Sequence, residues 1–175
     1  MPEKYLKQKS VRLHQDDDYS TTGAYLVTVC TDKRKCIFGR VKNEQVVLNE
    51  IGKLVGECWR KIPEHFRDLK LDAFVVMPNH LHGIIIDRNA ESEPFRGPAR
   101  EPSGSKKKTL GTVASFFKSS VTKKARRSGL VRDESIWQRG YCEHSLDSIV
   151  DLENIRNYIV NNPAHWSDDS QFTGS

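Results

Sequence analysis

Apolar residues recur along this chain with two periods, and the switches between them mark out its elements. GAYLVTVC (Gly23 to Cys30) is dense in β-branched and aromatic residues and predicts a strand. KCIFGRV and EQVVLN follow, parted by Lys42 and Asn43, which predicts a hairpin. Asn49 stands where an N-cap belongs, ahead of Ile51, Leu54, Val55, Cys58, Trp59 and Ile62 at helical spacing, and Pro63 is expected to stop that helix. LKLDAFVVM (Leu69 to Met77) is a second strong strand, and after Pro78 and Asn79 the extended pattern resumes in HLHGIIID (His80 to Asp87). Leu110, Val113, Phe116, Phe117 and Val121 put Thr109 to Arg127 on a helix, while Ser135 to Glu143 fits a short strand or a loop. The last helix, DSIVDLENIRNYIVNN, is expected to be capped by Asp147 and to bury Ile149, Leu152, Ile155 and Ile159. It ends at Asn162, because Pro163 disfavours helical geometry in the residue before it. Strands interleaved with helices, without a long βα repeat, predict an α+β sandwich with antiparallel pairing.

At 175 residues the chain suits one domain that buries a core without disulfides. Residues 1–18 read as a polar extension and 167–175 as a tail; residues 88–108, rich in Pro, Gly, Ser and charge, read as a flexible loop. No run of about 18 apolar residues occurs, which argues against a membrane span. The N-terminus lacks the apolar stretch of a secretion signal, and Cys30, Cys36, Cys58 and Cys142 show no CxxC pairing, so reduced thiols and a cytoplasmic location are expected.

Charge changes the picture more by distribution than by total. Between Arg100 and Arg132 ten Lys or Arg face a single acid, Glu101, a net of +9 that leaves −4 for the rest of a chain whose total is +5. Such a concentration favours phosphate backbones, although a solvated helix face with a charged linker has the same composition.

Three clusters could carry chemistry. His80 and His82, two apart on an extended segment, point to one face and can converge on a metal ion, while Leu81 points into a core. Taken alone, an HxH pair reads more readily as two satisfied or exposed histidines, and a histidine-triad hydrolase would need a third histidine where Ile84 stands. On the last helix Tyr158 and Asn162, four apart, share a face. A tyrosine there could attack a phosphate while the amide oxygen joins the imidazoles around Mg²⁺ or Mn²⁺; the alternative is a core tyrosine followed by a helix-terminal asparagine. WQRGYCEH (Trp137 to His144) mixes aromatics, Arg139 and titratable groups as nucleic-acid contacts often do, and makes Tyr141 a rival nucleophile, with Trp137 fitting a core plug.

Taken in chain order, DYSTTGAYLVTVCTDKRKCIFG, LDAFVVMPNHLHGIIID, GTVASFFKSSVTKK and IWQRGYCEHSLDSIVDLENIRNYIVNNPAHW resemble the REP-associated tyrosine transposases, IS200/IS605-like members of the HUH superfamily. The specific pieces are MPNHLHGII and the YIxxNP run from Tyr158 to Pro163. The resemblance implies a ferredoxin-like, RRM-like domain over residues 19–166, with the HxH on its central sheet. It implies that His80, His82 and Asn162 bind Mg²⁺ or Mn²⁺ and that Tyr158 is the nucleophile of a transesterification on single-stranded or hairpin DNA. Glu143 and His144 accompany the family's WQ…EH stretch and become candidates for assisting the tyrosine. Phosphate contacts are expected from Lys106, Lys107, Lys108, Lys118, Lys123, Lys124, Arg126, Arg127 and Arg139, with monomer and homodimer both open. The alternatives are a non-catalytic RRM-like nucleic-acid-binding module, which would favour stacking aromatics where this strand has histidines, and a metal-dependent nuclease using activated water.

Overall fold

The computed structural model describes residues 23–88, 109–146, 148–169, 171 and 172; the extension at 1–18, nearly all of the 88–108 loop and Lys106, Lys107 and Lys108 therefore lie outside the described residues. The chain forms β1 (Ala24–Cys30), a 3₁₀ turn (Asp32–Arg34), β2 (Gly39–Lys42), β3 (Gln45–Leu48), α1 (Glu50–Arg60) and α2 (Ile62–His65). There follow β4 (Leu69–Val76), β5 (His80–Asp87), α3 (Leu110–Arg127), β6 (Cys142–Leu146), α4 (Ile149–Asn161) and a second 3₁₀ turn (Trp166–Asp168).

Four strands make one antiparallel sheet in the order β4-β5-β1-β6. With α1 and α3 as the crossovers this is the split βαβ arrangement of the ferredoxin-like α+β class, as expected. The antiparallel hairpin of β2 and β3 stands apart from that sheet. Its two turn residues, Asn43 and Glu44, both take positive φ (50° and 59°), the condition for a tight two-residue connection.

Strand parity divides the molecule into three layers. Val27, Val29, Leu81 and Ile85 pack with Val55, Trp59, Val113, Phe117 and Val121 from α1 and α3. Leu26 and Ile84 face the other way, with Leu146, Ile155 and Ile159, so α4 covers the opposite side of the sheet. On β5 this parity turns Leu81 toward α1 and α3 and leaves His80 and His82 on the α4 face. Gly83, between them and Ile84, has no alternative residue: a Cβ there would lie 2.3 Å from the Trp59 ring, which is buried against this strand.

The local chemistry departs from the sequence-based expectations at three points. α1 ends at Arg60, close to Pro63, but Ile62 falls in a separate short helix, α2, whose first turn holds Pro63, where its missing N–H costs nothing. Ser148 caps α4, its Oγ accepting from Asp151 N at 3.1 Å, in place of Asp147, which lies outside the described residues. Ile149 is 73% exposed, so the apolar face of α4 begins only at Leu152 and is carried by Ile155 and Ile159. Among the described residues no helix is long and apolar enough to cross a membrane.

Candidate metal centre and tyrosine site

β5 lies inside the sheet, so the backbone carrying His80 and His82 is hydrogen-bonded on both sides. Both side chains are buried, at 0% and 3% exposure, with ring centroids 4.4 Å apart. Each ring is oriented through Nδ1. His80 Nδ1 lies 2.8 Å from Asn79 Oδ1, which can only accept, so the proton sits on Nδ1 and the Nε2 lone pair is left for another use. His82 Nδ1 lies 2.7 Å from Thr28 Oγ1, its cross-strand neighbour on β1. A second ring of hydrogen bonds of this kind sets tautomer and direction in histidine ligands of metals.

Asn79 reaches further. Its Nδ2 donates to Arg34 O at 3.1 Å and to Gln171 O at 2.7 Å, tying the histidine strand to the first 3₁₀ turn and to the end of the chain. Neither Asn79 nor Thr28 was singled out from sequence, although Asn79 lies inside the MPNHLH motif.

From the opposite layer, α4 brings Tyr158 and Asn162 to the same place. The Tyr158 hydroxyl is 3.2 Å from His82 Nε2 and donates to Asp169 Oδ2 at 2.9 Å. Asn162 Nδ2 donates to the same carboxylate oxygen at 2.6 Å, and Asp169 Oδ1 accepts from Gln171 N at 2.7 Å. Arg156, two residues before Tyr158 on α4, bonds both oxygens of Asp72 on β4, which fixes the helix against the sheet. Tyr141 is turned elsewhere: its hydroxyl donates to Glu143 at 2.7 Å and its ring packs with the α1 and α3 core. His144 pairs opposite Leu26, on the histidine side of the sheet.

His80, His82 and Asp169 could hold a metal ion, since one ligand atom from each lies within 4.8 Å of the others. Two buried polar atoms at this spot, His80 Nε2 and Asn162 Oδ1, have no hydrogen-bond partner. Unpartnered buried acceptors are costly, and a bound cation is what would satisfy both together. Burial, the neighbouring His82 and Arg34 hold His80 well below the usual imidazole range. His82 is pushed down to about 4 by burial, with His144 acting the same way and the Asp169 carboxylate opposing. Neutral imidazoles are the form that ligates. Burial, then Asp169, pushes the Tyr158 phenol up, so without a cation nearby it stays protonated. The residues thus fit a divalent ion. Asp169 was not legible in sequence: it follows an irregular 3₁₀ turn in SDDS, where no period assigns it a direction.

The expected phosphate contacts are distributed unevenly. Lys123, Lys124, Arg126 and Arg127 are exposed near the end of α3, on the layer opposite Tyr158. Lys118 is half-buried, its Nζ donating to Gln138 O at 2.7 Å and to Gly140 O, so it braces the segment that displays the exposed Arg139. Trp137 is buried against Phe38 and Phe117 as a core residue.

The four-stranded antiparallel sheet with its packed helices is the fold of a solved structure of a REP-associated tyrosine transposase bound to a REP hairpin. The two superpose with a TM-score of 0.54 over 96% of this chain and 93% of that one, at 16% identity. No family model matches the chain. An uncharacterized protein of Haemophilus influenzae is 36% identical over 170 residues, covering 94% of this chain and 93% of that protein. The chain belongs to one family with this Haemophilus protein, and its fold is that of the REP-associated tyrosine transposase.

Proposed function

We propose that the protein is a metal-dependent, single-tyrosine DNA-strand transferase of the HUH class that cuts and rejoins single-stranded DNA beside hairpins of the REP kind. The observation that carries this reading is the Tyr158 hydroxyl, 3.2 Å from His82 Nε2 and on the same face as the unpartnered His80 Nε2 and Asn162 Oδ1. A lone structural tyrosine needs no such neighbours. The hairpin-bound transposase with the same fold supports the choice of DNA as substrate.

The chemistry is a transesterification. Tyr158 Oη bonds to phosphorus, the bond from phosphorus to the 3′-oxygen breaks, and that oxygen leaves with a proton as a 3′-hydroxyl. The strand end is stored as a 5′-phosphotyrosine, so rejoining by attack of a 3′-hydroxyl needs no nucleotide cofactor. His80 and His82 supply neutral imidazole donors, Asp169 an anionic one and Asn162 Oδ1 a neutral oxygen, a mixed set that suits Mg²⁺ or Mn²⁺. A divalent ion held there would polarise the phosphate and oppose the field that keeps the phenol protonated. Asp169 Oδ2, which already accepts the hydroxyl's hydrogen bond, is the first acceptor for its proton. Asn162 and Arg156 hold the geometry, and misplacement by about 1 Å can cost on the order of a hundredfold in rate.

The test is single-turnover cleavage of a hairpin-flanked oligonucleotide with Mg²⁺ or Mn²⁺, followed by denaturing electrophoresis and mass spectrometry of the linked peptide. We expect a covalent adduct on Tyr158, its loss in Tyr158→Phe, and a reduced but measurable rate in Tyr141→Phe. Cleavage without an adduct would instead identify a nuclease that uses activated water. Binding without cleavage would leave the RRM-like reading.

A further inference from the structure

Beside the histidines, on the same face of the sheet, lies a cavity of about 210 Å³ lined by Thr28, Cys30, Arg34, Arg139, Tyr141 and Cys142 among others. Register makes it a lateral extension of the tyrosine site. Thr28 pairs with His82 on one side and Cys142 on the other, and Cys30 pairs with His80. A step of one strand, about 4.8 Å, therefore separates the histidines from the Thr28 wall. We propose that this cavity, walled by Arg34 and Arg139, binds the phosphodiester group next to the one that Tyr158 attacks. The inference rests on the strand-transferase reading and adds to it a second anchoring point for the DNA backbone.

Four observations carry it. Among the described residues two arginines and no carboxylate line the cavity. Arg34 is held in place at a cost: it and Lys33 both take left-handed backbone conformations (φ 54° and 51°), which non-glycine residues adopt only where the surroundings enforce them. Asn79 Nδ2 donates to Arg34 O while its Oδ1 orients His80, so one side chain ties the backbone that carries the arginine to the histidine ring. The positive charges of Arg34 and Lys118 also act on Cys30 and Cys142 inside the cavity, and Lys118 grips the carbonyls on either side of Arg139. Two carboxylates stand near this wall, and both are engaged: Asp169, whose charge acts on Cys30, belongs to the proposed metal site, and Glu143 accepts from the Tyr141 hydroxyl. Two arginines lining a partly enclosed space, with the nearby acids already engaged, suit a phosphate.

Cys142 lines the cavity and Cys36 is exposed outside it, which allows a readout independent of cleavage. The full chain is alkylated with iodoacetamide alone, with inorganic pyrophosphate, with an oligothymidylate, and with the same strand carrying an uncharged methylphosphonate backbone. Mass spectrometry gives each cysteine's rate. At a ligand concentration about ten times Kd, pyrophosphate and the charged strand should each slow Cys142 by about tenfold and leave Cys36 unchanged. The methylphosphonate strand should not protect. Arg34→Gln and, separately, the surface change Arg139→Gln should weaken protection, and Arg34→Lys should restore part of it. Equal Cys142 rates in every arm, or protection that survives in both Gln variants, overturns the proposal. Protection by the methylphosphonate strand overturns it in favour of a base pocket. A charged strand that binds by fluorescence anisotropy yet leaves Cys142 unprotected, while pyrophosphate protects, overturns the DNA assignment in favour of a free anion. A strand that does not bind at all defeats the DNA reading itself, and pyrophosphate then decides the anion site alone.

Discussion

The side-chain amide of Asn79 is shared among His80, Arg34 and Gln171, and the hydroxyl of Thr28 is committed to His82. Both decide where the imidazole lone pairs point. Replacing such an orienting partner typically costs 10- to 100-fold in metal affinity. Asn79→Ala and Thr28→Val are therefore expected to weaken Mn²⁺ binding by about that factor, measured by calorimetric titration, while circular dichroism stays native. Affinity equal to wild type would mean that packing alone orients the rings. On the strand-transferase proposal His80→Ala should go further, abolishing cleavage while leaving most of the DNA affinity, because binding would be spread over many phosphate contacts and chemistry over one ion. Full cleavage in EDTA would defeat the metal role. At this scale spacing and motif singled out both histidines, Tyr158 and Asn162, which the fold brings together. They passed over Thr28, Asn79 and Asp169, whose relevance comes from neighbours 54, 1 and 11 positions away that only folding brings into line.

Elements matter here as platforms, and α4 is the one that must not shift. The register of β4 against β5 breaks between Leu71 and Phe74, and Asp72, at that irregularity, holds Arg156 of α4 through both carboxylate oxygens. The hydrogen bond from Arg156 holds the Asp72 carboxyl below its ordinary value, with the Ala73 backbone N–H adding to the effect. A depressed carboxylate stabilises the fold above its unfolded value and loses that contribution as pH falls through the lower folded one. Asp72→Asn should thus lower stability by about 1 kcal/mol at neutral pH, the scale of a partly exposed pair, and the gap to wild type should close as pH falls below the ordinary carboxylate range. Thermal melts at several pH values check this; a gap independent of pH would assign the loss to packing. On β5, Gly83→Ala drives a methyl into the rigid Trp59 ring and is expected to cost roughly 1–3 kcal/mol in chemical denaturation. In the β2–β3 hairpin, Glu44→Gly relieves a positive φ and should be neutral or stabilising.

For the whole molecule the notable relation is between charge and site. The exposed Lys123, Lys124, Arg126 and Arg127 lie on α3, while Tyr158 lies on α4 across the sheet, so a strand gripped by both must pass around a sheet edge. Replacing those four residues by Gln should weaken binding to all sequences alike and reduce the slope of log K against log salt by roughly 0.7 per lost contact. Gel-shift titrations across a salt series measure it, and an unchanged slope would return the residues to an ordinary solvated face. Arg139→Gln, near the histidines, should by contrast affect cleavage position or rate more than bulk affinity.

Periodicity within single elements determined much of this protein before folding is considered. A period of two turned His80 and His82 to one face and Leu81 to the other, and a period of 3.6 aligned Tyr158 with Asn162, because both patterns are consequences of backbone geometry alone. The antiparallel α+β class followed from the order of those elements. What only the tertiary structure decided is everything that depends on distance between elements: the meeting of α4 with β5, the carboxylate of Asp169 closing over them, the diversion of Tyr141 to Glu143, and the use of Lys118 as a brace. Those depend on strand order, layer assignment and irregular backbone near residues 34 and 169, and no local period encodes them.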